Sequence, residues 1–586
     1  MRMPVLIAMM LLLLSSAASA QPAQDSAGAH AKNTVSIEIT GLSSDMLSAA
    51  ESGLSIYQQR DHPLLNSGLV RQLHAKAPAE IRRALQPFGY YRPHITAQLD
   101  QTAEGWNARY EVEPGDPVRV HAIDINITGP GASEDALQRW RTGFPLHVGD
   151  ALIHKTYEDA KQDLLDTARD LGYFAGRLER HEVTVDLRSY SADIQIDYIT
   201  GPRYAFGRTS FDQDLFAEAF LRRYLTYRQG YPYDVAKLLE LQRALSDSDY
   251  FDHVQVEPQI GAARDQEVPI RVSLIPRNRL RYDAGIGYTT DTGPRGTLGF
   301  QNRRATSYGH RYGIVYKGSS VLSSANATYI VPLRRPRTDN IAYTAEWVDE
   351  NTDTLRRTTN SLSADLTRMR GPWKRGLGIS YERERYHLNT SDDSTLLIPR
   401  SNWQRVWGLS RIHTRNGALF NAEVRGAAQG LVSDTTFLQL RTGAKLITGI
   451  GKRDRILLRA QGGASWVPAF TELPASQRFF AGGDQSIRGY AYKSLGPTDD
   501  TGTVIGGRHL AVASVEYEHP WGDIFSTALF YDAGNAFNTD AFTVMSGAGF
   551  GLRWHLPFGA IRIDIANAIS KPGHPWRLHI TMGPDL

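Results

Sequence analysis

The chain has 586 residues, 41% of them hydrophobic and 22% charged, with a formal net charge of +3. That length calls for several folding units, and the near-neutral balance removes any bulk electrostatic case for nucleic acid as a partner. Cysteine is absent, which excludes disulfides, thiol nucleophiles and cysteine-held metals and suits an oxidising compartment. The 52 glycines and 27 tyrosines favour turns and interfacial aromatics over helix.

In chain order, residues 1–20 read as an export signal. Arg2 supplies the positive start, Val5 to Leu14 is an unbroken apolar run, and Ala18-Ser19-Ala20 is a small-x-small cleavage site. The run is too short to span a bilayer as a helix. No later segment approaches a spanning helix, so any membrane crossing must be made by strands closed into a barrel.

From Val35 to Pro276 the chain repeats itself. The recurring element is a helix end, a short polar gap and an aromatic pair: Leu85 to Tyr91, Ala168 to Phe174 and Leu245 to Phe251, spaced by about 80 positions. Each unit opens with a strand (Val35 to Ile39, Ala122 to Ile127, Tyr204 to Phe211). Two helical stretches follow, as in the periodic Tyr157, Ala160, Leu164, Leu165 and Ala168, and two alternating strands close the unit, such as Val183 to Leu187 and Asp193 to Tyr198. The aromatic pair is expected to plug the core between helix and sheet. This β-α-α-β-β order resembles the POTRA domain. The predicted units are residues 33–118, 119–202 and 203–276.

After Pro276 the helical period vanishes, and residues 277–586 read as a transmembrane β-barrel. In the last strand Trp576, Leu578, Ile580 and Met582 alternate with Arg577, His579 and Thr581. Before it, Ile561, Ile563 and Ile565 alternate with Arg562 and Asp564. Apolar outside and polar inside is the pattern of a barrel between lipid and water. Mid-strand charge in Tyr381-Glu382-Arg383-Glu384-Arg385-Tyr386 argues against a soluble sandwich, whose inward face is apolar. Sixteen antiparallel strands are expected: 279–289, 295–303, 310–318, 324–332, 340–349, 358–369, 375–387, 402–414, 417–429, 435–448, 454–467, 507–519, 524–536, 546–556, 559–568 and 576–583.

One connection, Pro468 to Gly506, is too long for a turn and therefore a functional candidate. It contains Phe479-Phe480-Ala481-Gly482-Gly483 and Ile487-Arg488-Gly489-Tyr490, which resemble the sixth-loop motif of the BamA superfamily. Phe530-Tyr531-Asp532-Ala533-Gly534 and Glu516 match that family's strand motifs. The resemblance, strongest to its TamA-like members with three repeats, implies a loop folded into the lumen with Arg488 held by wall carboxylates at Glu516 and Asp532, beside Gly534. It also implies a weak lateral seam involving Leu280, Tyr282, Leu578, Ile580 and Gly583. The implied role is assembly of autotransporters and other outer-membrane proteins. An inner-membrane-anchored TamB-like partner would dock on the first repeat, with client barrels and outer-membrane lipid as further partners. A secretion pore for a dedicated exoprotein and a lipid-transport role with a TamB-like bridge are the alternatives. The terminal Gly583-Pro584-Asp585-Leu586 departs from the usual terminal aromatic.

No enzyme is expected. There is no Gly-x-Ser-x-Gly elbow and no His-Glu-x-x-His, and Gly449-Ile450-Gly451-Lys452 lacks the upstream glycine of a phosphate loop. Gly547-Ala548-Gly549-Phe550-Gly551 lies in a strand pattern, where glycines mark close packing. No catalytic, cofactor-binding or metal-binding residue is assigned.

Overall fold

The computed structural model describes residues 34–583, apart from 63, 104, 353–354, 388–390, 409–413, 431, 539–541 and 558. The signal peptide, its cleavage site and residues 584–586 lie outside the described residues. The chain divides into two units at Arg203/Tyr204. Among the described residues no helix is long and apolar enough to cross a membrane.

The first unit holds two of the repeats. In the first, the central strand Gly105–Glu113 buries every second residue (Trp106, Ala108, Tyr110, Val112), because these side chains share the sheet face that the helices cover. Thr34–Thr40 runs parallel to it and His94–Thr102 antiparallel. A parallel neighbour needs a crossover, and the helices Ser44–Gly53 and Ser67–Leu85 supply it. Asn66 caps the longer helix by accepting from the Leu69 amide at 2.9 Å. Val70, Leu73, Ala77, Ile81 and Leu85 then form its buried stripe. The second repeat follows the same plan, with strands Arg119–Thr128, Arg177–Asp186 and Ser191–Ile199 and helix His154–Asp170. Tyr157, Ala160, Leu164 and Ala168 are buried on that helix, whereas Leu165 is only half-buried.

The expectation for the aromatic pairs needs correcting. In the first repeat Tyr90 and Tyr91 are both half-buried, and Tyr91 turns towards the second repeat. Its hydroxyl meets His154 Nε2 at 2.8 Å, and its amide donates to the Tyr190 hydroxyl at 3.2 Å. The pair therefore joins two repeats as much as it fills one.

The second unit begins with the third repeat: strands Ala205–Asp212, Phe251–Pro258 and Glu267–Pro276, and helix Val235–Ser246 capped by Asp234. Here Tyr250 and Phe251 are both buried, and the Tyr250 hydroxyl donates to the Gly309 carbonyl, in the turn after the second barrel strand. Ala217 N donates to Ser307 O of the same turn at 2.9 Å. Asp249 accepts from Arg277 at 2.6 Å and from Arg303 at 3.0 Å. These contacts fix which barrel end faces the third repeat.

The barrel is a 16-stranded sheet whose strands pair in chain order, every neighbour antiparallel, from Leu280–Thr289 to Trp576–Gly583. Outward Leu362, Leu377 and Leu529 are each about three-fifths exposed, while inward Glu384, Phe530 and Asp532 are buried. One strand differs from expectation. The stretch expected at 402–414 is the strand Ser391–Trp407, which begins earlier. Pro399 and the preceding Asp and Ser residues hid it. Pro399 pairs only with Ile379, because the ladder to the following strand begins at Arg400, so its missing N–H costs no bond there. The mid-strand charges divide between faces: Glu384 meets the loop inside, whereas Arg383 and Arg385 are exposed outside.

Among the described residues no ladder joins the first and last strands. They approach at one end, where Ile580 N donates to Thr290 Oγ1 at 3.1 Å. Leu280 lies at the opposite end of its strand from Thr290, so Leu280 and Ile580 do not face each other.

Candidate functional site

The long loop between strands Asp454–Trp466 and His509–Pro520 lies within the barrel. Ile487, Tyr490, Ala481 and Leu495 pack against Val512 and Ala568 of the wall, and the Tyr490 hydroxyl donates to Ser546 O at 3.1 Å. Across the lumen, Lys493 Nζ lies 2.5 Å from Glu350, Gln439 donates to Gln477 O at 2.7 Å, and Ser476 N donates to Glu384 at 3.2 Å. The loop thus touches strands on several sides of the barrel.

Arg488 is the centre of this arrangement and is only 5% exposed. Its Nε and Nη2 bind the two Asp532 oxygens at 2.7 and 3.0 Å, the forked pairing that a guanidinium and a carboxylate make. Its Nη1 reaches Glu516 at 2.8 Å and Asp564 at 3.0 Å, and its own amide donates to Asp532 at 3.0 Å. The guanidinium lies 3.4 Å from the Phe530 ring centroid. Arg553 closes the circuit, donating to Glu516 at 2.7 Å and to Asp564 at 2.5 Å. Arg459 adds a third guanidinium, 3.9 Å from Asp532, and donates to Ser486 O at 2.9 Å. Three carboxylates face three guanidiniums, so the buried cluster is neutral as a whole, the condition under which buried charge is tolerated.

Glycine makes the space. Gly489 has φ +96°, and a Cβ there would stand 2.9 Å from Ala568 N. On the wall, Gly547 faces the Arg488 carbonyl and Gly551 the Asp564 carboxylate, each so closely that a methyl group would clash. Gly534 lies against the backbone of the neighbouring strand.

At the seam, Asp484 of the loop touches both the turn after the first strand and the last strand. Its amide donates to Asp291 Oδ2 at 2.7 Å, its Oδ1 accepts from Thr290 at 2.9 Å, and the same oxygen meets His579 Nδ1 at 2.5 Å. His579 Nε2 accepts the Gly489 amide at 2.8 Å, which places the imidazole proton on Nδ1. Asp291, Asp484 and His579 are close enough to hold a metal, but both imidazole nitrogens already serve protein partners. The trio therefore acts as a hydrogen-bonded bridge across the seam. Below it the first strand is bare: Tyr282 is 72% and Ile286 93% exposed, and Leu280 is exposed too. Leu578 is exposed, Ile580 and Gly583 are half-buried, and the Gly583 carbonyl accepts from Arg562 at 3.3 Å.

Of the residues singled out in the sequence, Arg488, Gly489, Tyr490, Glu516 and Asp532 come together with Ile487. Sequence reasoning missed Asp564, Arg553, His579 and Asp484. Asp564 and His579 were legible as inward positions, yet nothing placed them level with the arginine.

A family model described as the Omp85 superfamily domain matches residues 165–584, most of the chain. The chain belongs to the Omp85 superfamily. A second model, the POTRA domain TamA domain 1, matches residues 36–114. As in the BamA homologues, this Omp85 chain is an outer-membrane β-barrel carrying POTRA domains. It is 22% identical over 395 residues to an outer membrane protein assembly factor BamA of Nitratidesulfovibrio vulgaris, covering 62% of this chain and 48% of the relative. A BamA of Neorickettsia risticii is 29% identical over 111 residues, 17% of this chain and 14% of that one. The chain thus spans about half the length of the first of these relatives. The crystal structure of BamA from Haemophilus ducreyi lacking POTRA domains 1–3 matches with a TM-score of 0.69 at 17% identity, covering 80% of this chain and all of that one, which shows the shared fold.

Proposed function

We propose that this protein is an insertase that assists other outer-membrane proteins, autotransporters among them, to fold into the bilayer, working by templating rather than by bond chemistry. The observation that carries this reading is the seam: two strand edges without a ladder, the first exposed over most of its length. Such an edge offers unpaired N–H and C=O groups to an incoming strand with little demand on its sequence. The Arg488 cluster ties the eleventh to fifteenth strands together beside that edge, and the Asp484 bridge is the small contact that must yield for the seam to part. The first repeat, similar to TamA domain 1, is the docking place for an inner-membrane-anchored TamB-like partner, which the free edge strand His94–Thr102 suits.

The test is a lock. Thr290→Cys with Ile580→Cys introduces the only thiols in the chain, at positions already within hydrogen-bonding reach. The oxidised barrel should fail to promote client insertion into vesicles and regain activity on reduction. Full activity of the locked barrel would refute the lateral route and favour passage of an exoprotein through the lumen.

A further inference from the structure

Alternation separates lumen from lipid on the strand Trp373–His387. Glu384 contacts the loop inside, so Leu377 and Arg375 point outward, and the ladder sets Leu366 and Arg368 of the preceding strand beside them. Towards the end that meets the third repeat this outer row changes from leucine to arginine: Arg368, Arg375 and Arg370, just before the chain reverses at residues 371–372. Trp403 stands opposite Arg375 on the next strand. Together they line a cavity of about 260 Å³. Beside it Arg405 lies 5.6 and 4.4 Å from the ring centroids of Trp373 and Trp407, with its Nε buried and lacking a hydrogen-bond partner. Arg370 has Asp339 at 3.5 Å. Among the described residues no ion pair joins Arg368, Arg375 or Arg405 to a carboxylate.

Unneutralised cations on a lipid-facing wall are costly unless the membrane supplies the counter-charge. Guanidiniums bind phosphate oxygens through paired donors, tryptophan prefers the headgroup level, and the leucine floor suits acyl chains. We propose that this cavity binds an anionic phospholipid of the leaflet on the side of the third repeat, with its phosphate between Arg368 and Arg375 and an acyl chain over Leu366 and Leu377. The strands involved are the sixth, seventh and eighth of sixteen, half a circuit from the seam. The lipid would therefore fasten the barrel wall opposite the one that opens.

Native mass spectrometry of the full chain, delipidated in detergent, tests this with dioleoyl phosphatidylglycerol, dioleoyl phosphatidylcholine and glycerol 3-phosphate as probes. Phosphatidylglycerol should be retained in preference to phosphatidylcholine, and glycerol 3-phosphate should not be retained. The Arg368→Gln/Arg375→Gln pair should weaken phosphatidylglycerol binding roughly thirtyfold, the loss expected for two basic groups beside an anionic surface. Arg334→Gln/Arg335→Gln, in another exposed turn, should leave it unchanged. Equal retention of both lipids, or undiminished binding by the first variant in a barrel that still migrates as folded, would overturn the site. Retention of glycerol 3-phosphate would overturn the lipid as its occupant.

Discussion

Arg488 makes contacts that a lysine cannot reproduce. The fork on Asp532 and the third donor on Glu516 and Asp564 use its planar geometry, and an ammonium would satisfy one carboxylate at a time. Arg488→Ala leaves Asp532 buried beside a more distant Arg459, and losing one partner of such a pair costs about 3–5 kcal/mol. The unfolding midpoint in urea should fall accordingly. Adding Asp532→Asn should recover part of the loss, because the stranded charge is gone. A second residue-scale prediction concerns acid. Burial, the largest influence on Asp249, pushes its carboxyl up, but hydrogen bonds and charge from Arg303 and Arg277 outweigh it and hold it below the ordinary 3.8. A depressed carboxylate stabilises above its unfolded value and loses that contribution as pH falls through the folded one. The junction between third repeat and barrel should therefore become protease-sensitive below about pH 4. Asp249→Asn should show that sensitivity already at neutral pH and change little on acidification.

At the scale of elements, the glycines of strand Met545–Leu556 form a channel for the loop. Gly547→Ala places a methyl group against the Arg488 carbonyl, an overpacking that costs about 1–3 kcal/mol. The expected outcome is protease cleavage within residues 468–506 of a barrel that remains assembled. Glycine spacing and strand alternation were both readable in the sequence, as were the repeats, the loop and most strand positions. Two things were not. The strand Ser391–Trp407 was masked by Pro399, whose lost donor is harmless only because the ladder to the following strand begins at Arg400. The second was height. Alternation says that Asp564 and His579 face inward, but which inward residues lie level depends on the stagger between strands, a property of the closed sheet. The same stagger sets Thr290, rather than Leu280, beside Ile580.

For the whole molecule, the distribution of bonds is asymmetric. Among the described residues the ladder is continuous around the wall and interrupted only at the seam, while the loop after the eleventh strand reaches both sides of that seam. The partners of Arg488 and Gly489 come from successive strands: Glu516, Asp532, Arg553 beside them, Asp564 and His579. The loop leaves the wall before any of them in the chain. During the protein's own biogenesis its guanidinium thus has no complete shell of counter-charges until the fifteenth strand brings Asp564, and the Gly489 amide has no acceptor until the sixteenth brings His579. A barrel truncated or mispaired in its last two strands lacks Asp564 and His579, and the loop loses two of its anchors. The full set of contacts around residues 488 and 489 is consequently expected only in a chain that has finished building its wall.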